Sequence, residues 1–498
     1  MKRKCGILLP VSSLPSPYGI GGFGRAAYDW VDFLAAARQS CWQVLPLGPT
    51  SYGDSPYQSF SAFAGSPYYI DLDLLCEQGL LTQEECAAPV WAENSQTVDY
   101  GALYQNRAPL LHKAFRRFPD AAALEAFRAK NAHWVEDYAL YMAVKASQGG
   151  HSWTEWPEGL RLRAPDAIAQ AKKELAEEIR YYLFEQYLFF TQWAALKAYA
   201  GEKGIEIIGD APIYVAMDSA DTWSRPELFL LDDAGLPIDV AGCPPDAFSA
   251  DGQLWGNPLY RWDVLKETGY AWWLQRLESS FTLFDTVRID HFRGFESYYA
   301  IPYGAATAKN GEWRKGPDVD FVRVVKARFG RGGIIAEDLG FLTPAVHKLL
   351  KASGYPGMKV LQFAFDAREE SDYMPHNYPR NCVVYTGTHD NDTTAGWLCS
   401  AHRADVRCAL DYLGVKRRRD AVPAFIRAAL SSVADLAVIP MQDWLELGSE
   451  ARINTPSTLG GNWVWRMDAG ACTPQLARRI AHCTKLYGRA PKKRKGRT

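Results

Sequence analysis

The sequence has 498 residues, and its 55 basic and 57 acidic residues leave a formal net charge of −2. With 48% hydrophobic and 22% charged residues, the composition is that of a globular protein and excludes a disordered or fibrous one. The near-zero charge argues against a nucleic-acid-binding or membrane-surface protein, because both usually carry an excess of lysine and arginine.

The sequence has no feature of a membrane or secreted protein. No run approaches the roughly 18 apolar residues that a membrane-spanning helix requires. The basic N-terminus precedes a short apolar run interrupted by proline, which predicts a first strand and not a signal peptide. Ten cysteines are scattered without a CxxC pair, which favours reduced thiols and a cytoplasmic location. The basic segment 492–497 is expected to be a solvated tail.

Short runs of β-branched, aliphatic and aromatic residues recur along the chain and alternate with helical patterns. Most of these runs are almost continuously apolar, as expected for parallel strands that are covered on both faces. The predicted strands are residues 5–9, 41–45, 205–209, 284–289, 333–336, 359–364, 382–386 and 436–440. Eight strands that alternate with helices indicate the α/β class and a closed (β/α)8, or TIM, barrel.

The uneven strand spacing predicts insertions within a single catalytic barrel that spans residues 1–498. Residues 51–200, between the second and third strands, are expected to form a mainly helical subdomain. Residues 211–280, between the third and fourth strands, are expected to form a loop subdomain. Insertions that follow strands lie on the C-terminal face of a barrel, where substrate clefts form. Too few residues follow the eighth strand for a separate C-terminal β-domain.

Charged residues follow the third, fourth, fifth and seventh predicted strands, at the point where each strand ends. They are Asp210, Asp290, Glu337 and the pair His389 and Asp390. Arg288 lies two residues before Asp290, so both side chains should point to the same face of the strand. We therefore expect the carboxylates to converge at one mouth of the barrel.

A ring of carboxylates with one arginine suits glycosidic-bond chemistry, which needs a nucleophile and a protonated acid. Arg288 should keep Asp290 ionised, which favours Asp290 as the nucleophile. Glu337 is flanked by apolar residues, which favours a raised pKa and the role of acid. For a reaction that retains the anomeric configuration, the two carboxyl groups should lie about 5–5.5 Å apart.

Two other classes of protein are compatible with these residues. A metal-dependent barrel hydrolase could use His291, His389, Asp290 and Asp390 as ligands, although the side chain of His291 should point away from the barrel interior. A non-catalytic glucan-binding protein would keep the aromatic residues, 13% of the chain, but would have no use for acids at strand ends. Glycosidic-bond chemistry requires no metal and no cofactor, and we predict none.

Nine long blocks make the resemblance to one family specific. The sequence resembles the 4-α-glucanotransferases, also called amylomaltases or disproportionating enzymes, which are glycoside hydrolase family 77 of the α-amylase superfamily. The matching blocks are residues 6–24, 42–72, 209–223, 252–262, 287–302, 334–340, 354–365, 385–397 and 442–466. The family fold, a (β/α)8 barrel with inserted subdomains, agrees with the strand pattern.

The resemblance implies a role for each candidate residue. In the catalytic centre, it implies that Asp290 is the nucleophile, Glu337 the general acid/base and Asp390 the carboxylate that stabilises the transition state. It implies that Arg288 accompanies the nucleophile, that His389 contacts sugar hydroxyls and that Asp210 is structural. The remaining implied contacts are with the substrate: Gln253 and Trp255 on a mobile loop over the site, and Ser55, Tyr57 and Asn462 along the cleft.

The resemblance also implies the reaction. A 4-α-glucanotransferase moves α-1,4-glucan segments from a maltooligosaccharide or a starch- or glycogen-type donor to the 4-hydroxyl of glucose or another glucan. A retaining α-glucan hydrolase of the α-amylase type is the alternative, because it would use the same acids. Aromatic residues of the insertions favour transfer, since they can bind an acceptor and exclude water: Tyr52, Tyr57, Phe60, Trp255 and Tyr260. The oligomeric state is not predicted.

Overall fold

The computed structural model of the protein describes residues 3–51, 53–245, 250–330, 332–340 and 342–491. Tyr52 and the basic segment 492–497 lie outside the described residues. The strands are β1 (Lys4–Leu8), β2 (Cys41–Gln43), β3 (Glu206–Ala211), β4 (Asp239–Cys243), β5 (Gln253–Pro258), β6 (Thr286–Ile289), β7 (Ser297–Pro302), β8 (Glu312–Lys315), β9 (Ile334–Ala336), β10 (Gly357–Val360), β11 (Cys382–Tyr385) and β12 (Leu436–Pro440).

Eight of these strands form one parallel barrel. They are hydrogen-bonded in the order β10-β11-β12-β1-β2-β3-β6-β9. The two outer strands meet where the amide of Ala336 donates to the carbonyl of Pro356 at 2.9 Å. The fold is therefore the (β/α)8 barrel that the strand pattern predicts, and all eight predicted strands are present.

The sixth barrel strand begins and ends earlier than the apolar pattern predicts. It spans Gly357–Val360, whereas the prediction was residues 359–364. The chain turns into a 3-10 helix at Leu361–Phe363. Leu361 is fully buried there, so its apolar character reflects packing and does not mark a strand.

Helices surround the barrel and fill its insertions. They are α1 (Arg25–Ala36), α2 (Leu72–Glu77), α3 (Gln83–Ala87), α4 (Tyr100–Arg117), α5 (Ala121–Lys130), α6 (Val135–Ser147), α7 (Glu158–Arg161), α8 (Pro165–Glu174), α9 (Ala176–Glu202), α10 (Ala220–Ser224), α11 (Trp262–Glu267), α12 (Ala271–Leu283), α13 (Asp318–Phe329), α14 (Pro344–Ser353), α15 (Thr394–Ser400), α16 (Arg403–Tyr412), α17 (Ala421–Ser431), α18 (Met441–Trp444) and α19 (Pro474–Leu486). Helices α2–α9 all lie between β2 and β3. After β12, the structure describes only helices and irregular segments up to Pro491.

The long helix α9 joins the helical insertion to the barrel. Phe23, from the loop after β1, packs against two of its rings, Phe189 at 5.1 Å and Trp193 at 5.0 Å. The Gln186 side chain on the same helix accepts from the amide of Gly65 at 2.8 Å and donates to its carbonyl at 2.9 Å. Despite its length, neither α9 nor any other helix of the described residues is apolar enough to cross a membrane.

A second, antiparallel sheet of four strands stands beside the barrel in the order β5-β4-β7-β8. Strands β4 and β5 come from the segment that the sequence predicts as loops, and β7 and β8 follow barrel strand β6. The sequence does not predict this sheet, because its strands are short and its central pair, β4 with β7, joins segments on either side of β6. We call it the side sheet.

No cysteine of the described residues forms a disulfide bond. Most cysteines are buried or half-buried, as small hydrophobic residues usually are. Two of them are neighbours in space: the thiols of Cys76 in α2 and Cys86 in α3 are hydrogen-bonded to each other, with their sulfur atoms 3.6 Å apart.

Candidate active site

The C-terminal ends of β6 and β9 bring Asp290 and Glu337 together. The strand register pairs Ile289 with Ala336, so Asp290 and Glu337 are the next residues on neighbouring strands. The amide of Glu337 donates to the carbonyl of Ile289 at 3.0 Å, which extends the pairing to the strand ends. Paired strands lie about 4.8 Å apart, so the two carboxyl groups project side by side at the barrel mouth.

Arg288 binds two carboxylates, one inside the barrel and one at its mouth. Its guanidinium lies 2.6 Å from Oδ2 of Asp210 and 2.8 Å from Oδ1 of Asp290. The Asp210 side chain is fully buried, whereas that of Asp290 is 30% exposed. A substrate in the cleft can therefore reach Asp290 but not Asp210, whose contacts with Arg288 and Tyr57 are those of a structural residue.

Tyr57 connects this ion pair to the third carboxylate. Its hydroxyl donates to Oδ2 of Asp210 at 2.7 Å, and its ring stacks on His389 with centroids 5.2 Å apart. The Ser55 hydroxyl accepts from the amide of Tyr57 at 3.3 Å. Trp463 packs against both rings, at 5.7 Å from Tyr57 and 6.0 Å from His389. Tyr57 thus holds side chains of the site in place, in addition to the sugar contact that the resemblance implies.

Asp390 lies opposite, at the end of β11, and stays ionised. His389 Nε2 lies 3.2 Å from its Oδ2, and the Asn454 side chain donates to its Oδ1 at 2.6 Å. Burial alone would raise the pKa of Asp390, but the nearby His389 and the hydrogen bonds hold that pKa well below the usual range. The side chain is 40% exposed, so its charged group is accessible from solvent.

Glu337 has the opposite electrostatic environment. Its side chain is almost completely buried, and this burial, together with the charge of Asp290, raises the pKa of Glu337. Burial also raises the pKa of Asp290, but the Arg288 guanidinium opposes that rise. The pair can therefore hold one proton on Glu337 while Asp290 is ionised, which is the division of roles that an acid and a nucleophile need.

The side sheet carries Gln253 and Trp255 to the edge of this site. The Trp255 indole donates to the side-chain oxygen of Gln253 at 3.0 Å, and its ring meets the ring of His291 at 4.8 Å. The Gln58 side chain donates to Asn257 at 3.1 Å, which joins the strand to the loop after β2. Trp255 is half-buried, so part of the residue stays accessible to solvent.

Asn462 stabilises its own loop. Its side-chain oxygen accepts from the amide of Thr455 at 2.9 Å, and its amide group donates to the carbonyl of Thr458 at 3.1 Å. These contacts shape the segment between Asn454, which binds Asp390, and Trp463, which packs on Tyr57. The polar contacts of Asn462 among the described residues therefore lie within its own loop.

No part of the chain that the structure describes groups three or more histidine, cysteine or acidic side chains in a way that could hold a metal ion. The ring of His291 packs on Trp255 and does not join His389, Asp290 and Asp390 in a common site.

Comparisons with known proteins show the family to which this chain belongs. A family model described as 4-alpha-glucanotransferase matches residues 9–472. The chain belongs to the 4-alpha-glucanotransferase family. A 4-alpha-glucanotransferase from Thermus thermophilus is 51% identical over 96% of this chain and 98% of its own length. One from Clostridium butyricum is 48% identical over 96% of this chain and 99% of its own length.

Solved structures of this family share the fold. An amylomaltase from Streptococcus agalactiae, in complex with acarbose, superposes with a TM-score of 0.96 at 40% identity. The match covers 98% of this chain and 100% of that one. An amylomaltase from Corynebacterium glutamicum, at 18% identity and a TM-score of 0.78, shares the fold.

Three contacts of the site could not be predicted from the individual residues of the sequence. Asn454 binds Asp390 directly, and the Arg452 side chain donates to the Asp390 carbonyl at 2.7 Å. The backbone amide of His291 donates to Oε2 of Glu337 at 2.7 Å. The first two contacts join residues more than 60 positions apart, and the third uses a backbone group. The periodic patterns that predict strands and helices from a sequence predict neither kind of contact.

Replacing Asp210 by asparagine should destabilise the protein strongly. Removing one partner of a buried ion pair typically costs about 3–5 kcal/mol, and the side chains of Asp210 and Arg288 are almost inaccessible. Thermal denaturation should show a much lower melting temperature. The matched control is Asp29→Asn, which breaks the exposed ion pair with Arg25 and should leave the melting temperature unchanged. Equal melting temperatures for the two variants would contradict a structural role for Asp210.

Proposed function

We propose that the protein is a retaining 4-α-glucanotransferase that acts through a covalent glycosyl-enzyme. The observation that carries this proposal is the placement of Asp290 and Glu337 on paired strands in different electrostatic environments. Family membership supports the reaction class. The insertions at residues 51–200 and 211–280 are proposed to build the cleft in which donor and acceptor glucans bind.

In the first half-reaction, the protonated Glu337 donates its proton to the glycosidic oxygen while Asp290 attacks the anomeric carbon. The bond between the anomeric carbon and the glycosidic oxygen breaks, and a bond to a carboxylate oxygen of Asp290 forms. The fragment with the reducing end leaves with the proton. Arg288 supports this step because its charge favours the ionised form of Asp290.

In the second half-reaction, Glu337 takes the proton from the 4-hydroxyl of the acceptor sugar. The oxygen of that hydroxyl attacks the anomeric carbon and displaces the carboxylate of Asp290, so two inversions retain the α configuration. Asp390 carries a negative charge toward the cleft and would stabilise the positive charge that develops on the sugar ring in both steps. The retaining geometry requires carboxyl groups of Asp290 and Glu337 about 5–5.5 Å apart, a distance of the order of the strand spacing.

A product ladder from maltotriose tests this function. Transfer should give free glucose together with oligomers longer than three units, because one sugar chain accepts the segment cleaved from another. Chromatography of the products over time is the measurement. Glucose and maltose without longer products would instead indicate the hydrolase. The same reaction in a strong chelator is the control for the metal-dependent alternative, and an unchanged ladder is expected.

The proposed substrates are α-1,4-glucans, maltooligosaccharides and glucose, which places the protein in carbohydrate metabolism. We also propose a cytoplasmic location without a nucleic-acid or membrane partner. The location is supported by the cysteines, which form no disulfide bond among the described residues, and the lack of these partners is supported by the net charge of −2.

A further inference from the structure

The residue after Asp290 has an unusual backbone. His291 adopts φ 53° and ψ 47°, the left-handed region in which residues other than glycine are uncommon. In this conformation, its amide donates to Oε2 of Glu337 at 2.7 Å. Oε1 of the same carboxyl group accepts from the amide of Leu339 at 2.7 Å. Two backbone groups therefore fix the orientation of the Glu337 carboxyl group.

The ring of His291 points the other way, toward the side sheet. It meets the face of Trp255 edge-on, with an interplanar angle of 87°. Gly294 makes room for it, because a Cβ atom at that position would lie 3.2 Å from Cδ2 of His291 and 2.8 Å from Cδ1 of Ile213. The ring nitrogen Nε2 is shielded from solvent and has no hydrogen-bond partner among the described groups. Burial lowers the pKa of His291 to about 3, so the ring is neutral at neutral pH.

The turn that contains His291 also holds the opposite edge of the side sheet. The guanidinium of Arg293 lies 4.0 Å from the ring centroid of Trp313 in β8. Trp255 and Trp313 belong to β5 and β8, which are the two outer strands of the side sheet. The short turn after the nucleophile is therefore a point at which the side sheet is attached to the barrel.

We propose that His291 is a positioning residue that couples the Trp255 wall of the cleft to the acid/base Glu337. Its backbone amide orients the carboxyl group, and its ring holds Trp255 in place beside that group. Seating Trp255 favours a sugar over water at the glycosyl-enzyme, because a fixed aromatic face binds the acceptor and excludes solvent. This inference rests on the transfer reaction proposed above.

Two substitutions at this position separate the two roles. Glycine adopts the left-handed backbone without strain, so His291→Gly keeps the amide in place and removes only the ring. Alanine removes the ring and disfavours the left-handed backbone, so His291→Ala disturbs the amide as well. Asparagine also tolerates this backbone, so His291→Asn removes the imidazole, keeps the amide in place and serves as a third variant if His291→Gly does not fold.

The measurements are the share of donor cleavage that ends in hydrolysis, the KM for the acceptor, and the pH profile of kcat/KM. We expect both variants to raise the hydrolysed share and the acceptor KM, by roughly threefold to tenfold, since one aromatic contact is lost. Only His291→Ala should move the alkaline limb, and it should move it to higher pH. A hydrogen bond to the ionised carboxyl group lowers its pKa, so loss of that bond raises the pKa.

The control is His133→Ala, which removes a histidine ring packed edge-on against Phe63 and should match the wild type in all three measurements. A wild-type hydrolysed share in His291→Gly would overturn the role of the ring. An alkaline limb that moves equally in His291→Gly and His291→Ala would overturn the role of the amide. A wild-type protein that makes no longer oligomers would instead overturn the proposed function, so the two failures are distinguishable.

Discussion

Replacing Asp290 by asparagine should reduce glucan transfer by at least about 10⁴-fold, the scale of loss seen when a covalent nucleophile is removed. The amide cannot form the ester with the anomeric carbon, so the first half-reaction stops. Glucan binding should persist, because the cleft and its aromatic residues are unchanged. The measurements are the initial rate on maltotriose and, separately, the change in tryptophan fluorescence as maltooligosaccharide is added.

A second variant tests the assignment of the nucleophile by stereochemistry. In Asp290→Ala, azide can attack the anomeric carbon from the face that Asp290 occupied, with Glu337 still supplying the proton. A single displacement inverts the configuration, so the expected product is a β-glucosyl azide. An α-glucosyl azide, or transfer at the wild-type rate, would falsify the nucleophile assignment.

Replacing Glu337 by glutamine should slow cleavage of maltotriose by about 10²–10⁴-fold, the usual contribution of a general acid. A donor with a good leaving group, such as α-glucosyl fluoride, needs little protonation of that group. With this donor, the rate of the first half-reaction should fall much less. With azide as acceptor no base is needed, and the expected product is an α-glucosyl azide after two inversions. Equal losses with both donors would argue against the acid role.

The same variant predicts a pH effect on both activity and stability. Activity requires protonated Glu337, so it falls as pH rises through a pKa that burial and Asp290 have raised. The raised pKa also means that the native state binds this proton more tightly than the unfolded chain, so ionisation at high pH lowers stability. Glutamine cannot ionise. Glu337→Gln should therefore melt at a higher temperature than the wild type above that pKa, and the advantage should disappear in acid. The measurement is the melting temperature of both proteins across pH.

The barrel could be predicted because its eight strands are buried on both faces and therefore read as short apolar runs. The side sheet could not be predicted, because β4 and β5 are short and contain glycine or proline, and because β4 also pairs with β7 on the far side of β6. The spacing of Arg288 and Asp290 predicts that they share a face, and in the structure they form an ion pair at 2.8 Å. This prediction was possible because residues two positions apart on a strand point to the same face.

Contacts between distant loops could not be predicted from the sequence. Asn454 reaches Asp390, and Trp463 packs on Tyr57, only because the chain folds back after β12. Contacts of this kind cannot be predicted from the two-residue period of a strand or the 3.6-residue period of a helix. The left-handed backbone of His291 could not be predicted either, because residues other than glycine rarely adopt this conformation and the sequence gives no sign of it here.

The thiols of Cys76 and Cys86 are neighbours in space, but both resist oxidation. Oxidation begins with a thiolate, and burial raises the pKa of Cys86 to about 12 and also raises that of Cys76. Almost all of both thiols is therefore protonated at neutral pH, although their sulfur atoms lie only 3.6 Å apart. Two cysteines in contact are not oxidised readily where burial suppresses the thiolate. Storage in air should therefore leave Cys76 and Cys86 reduced for far longer than the short distance between their sulfur atoms suggests.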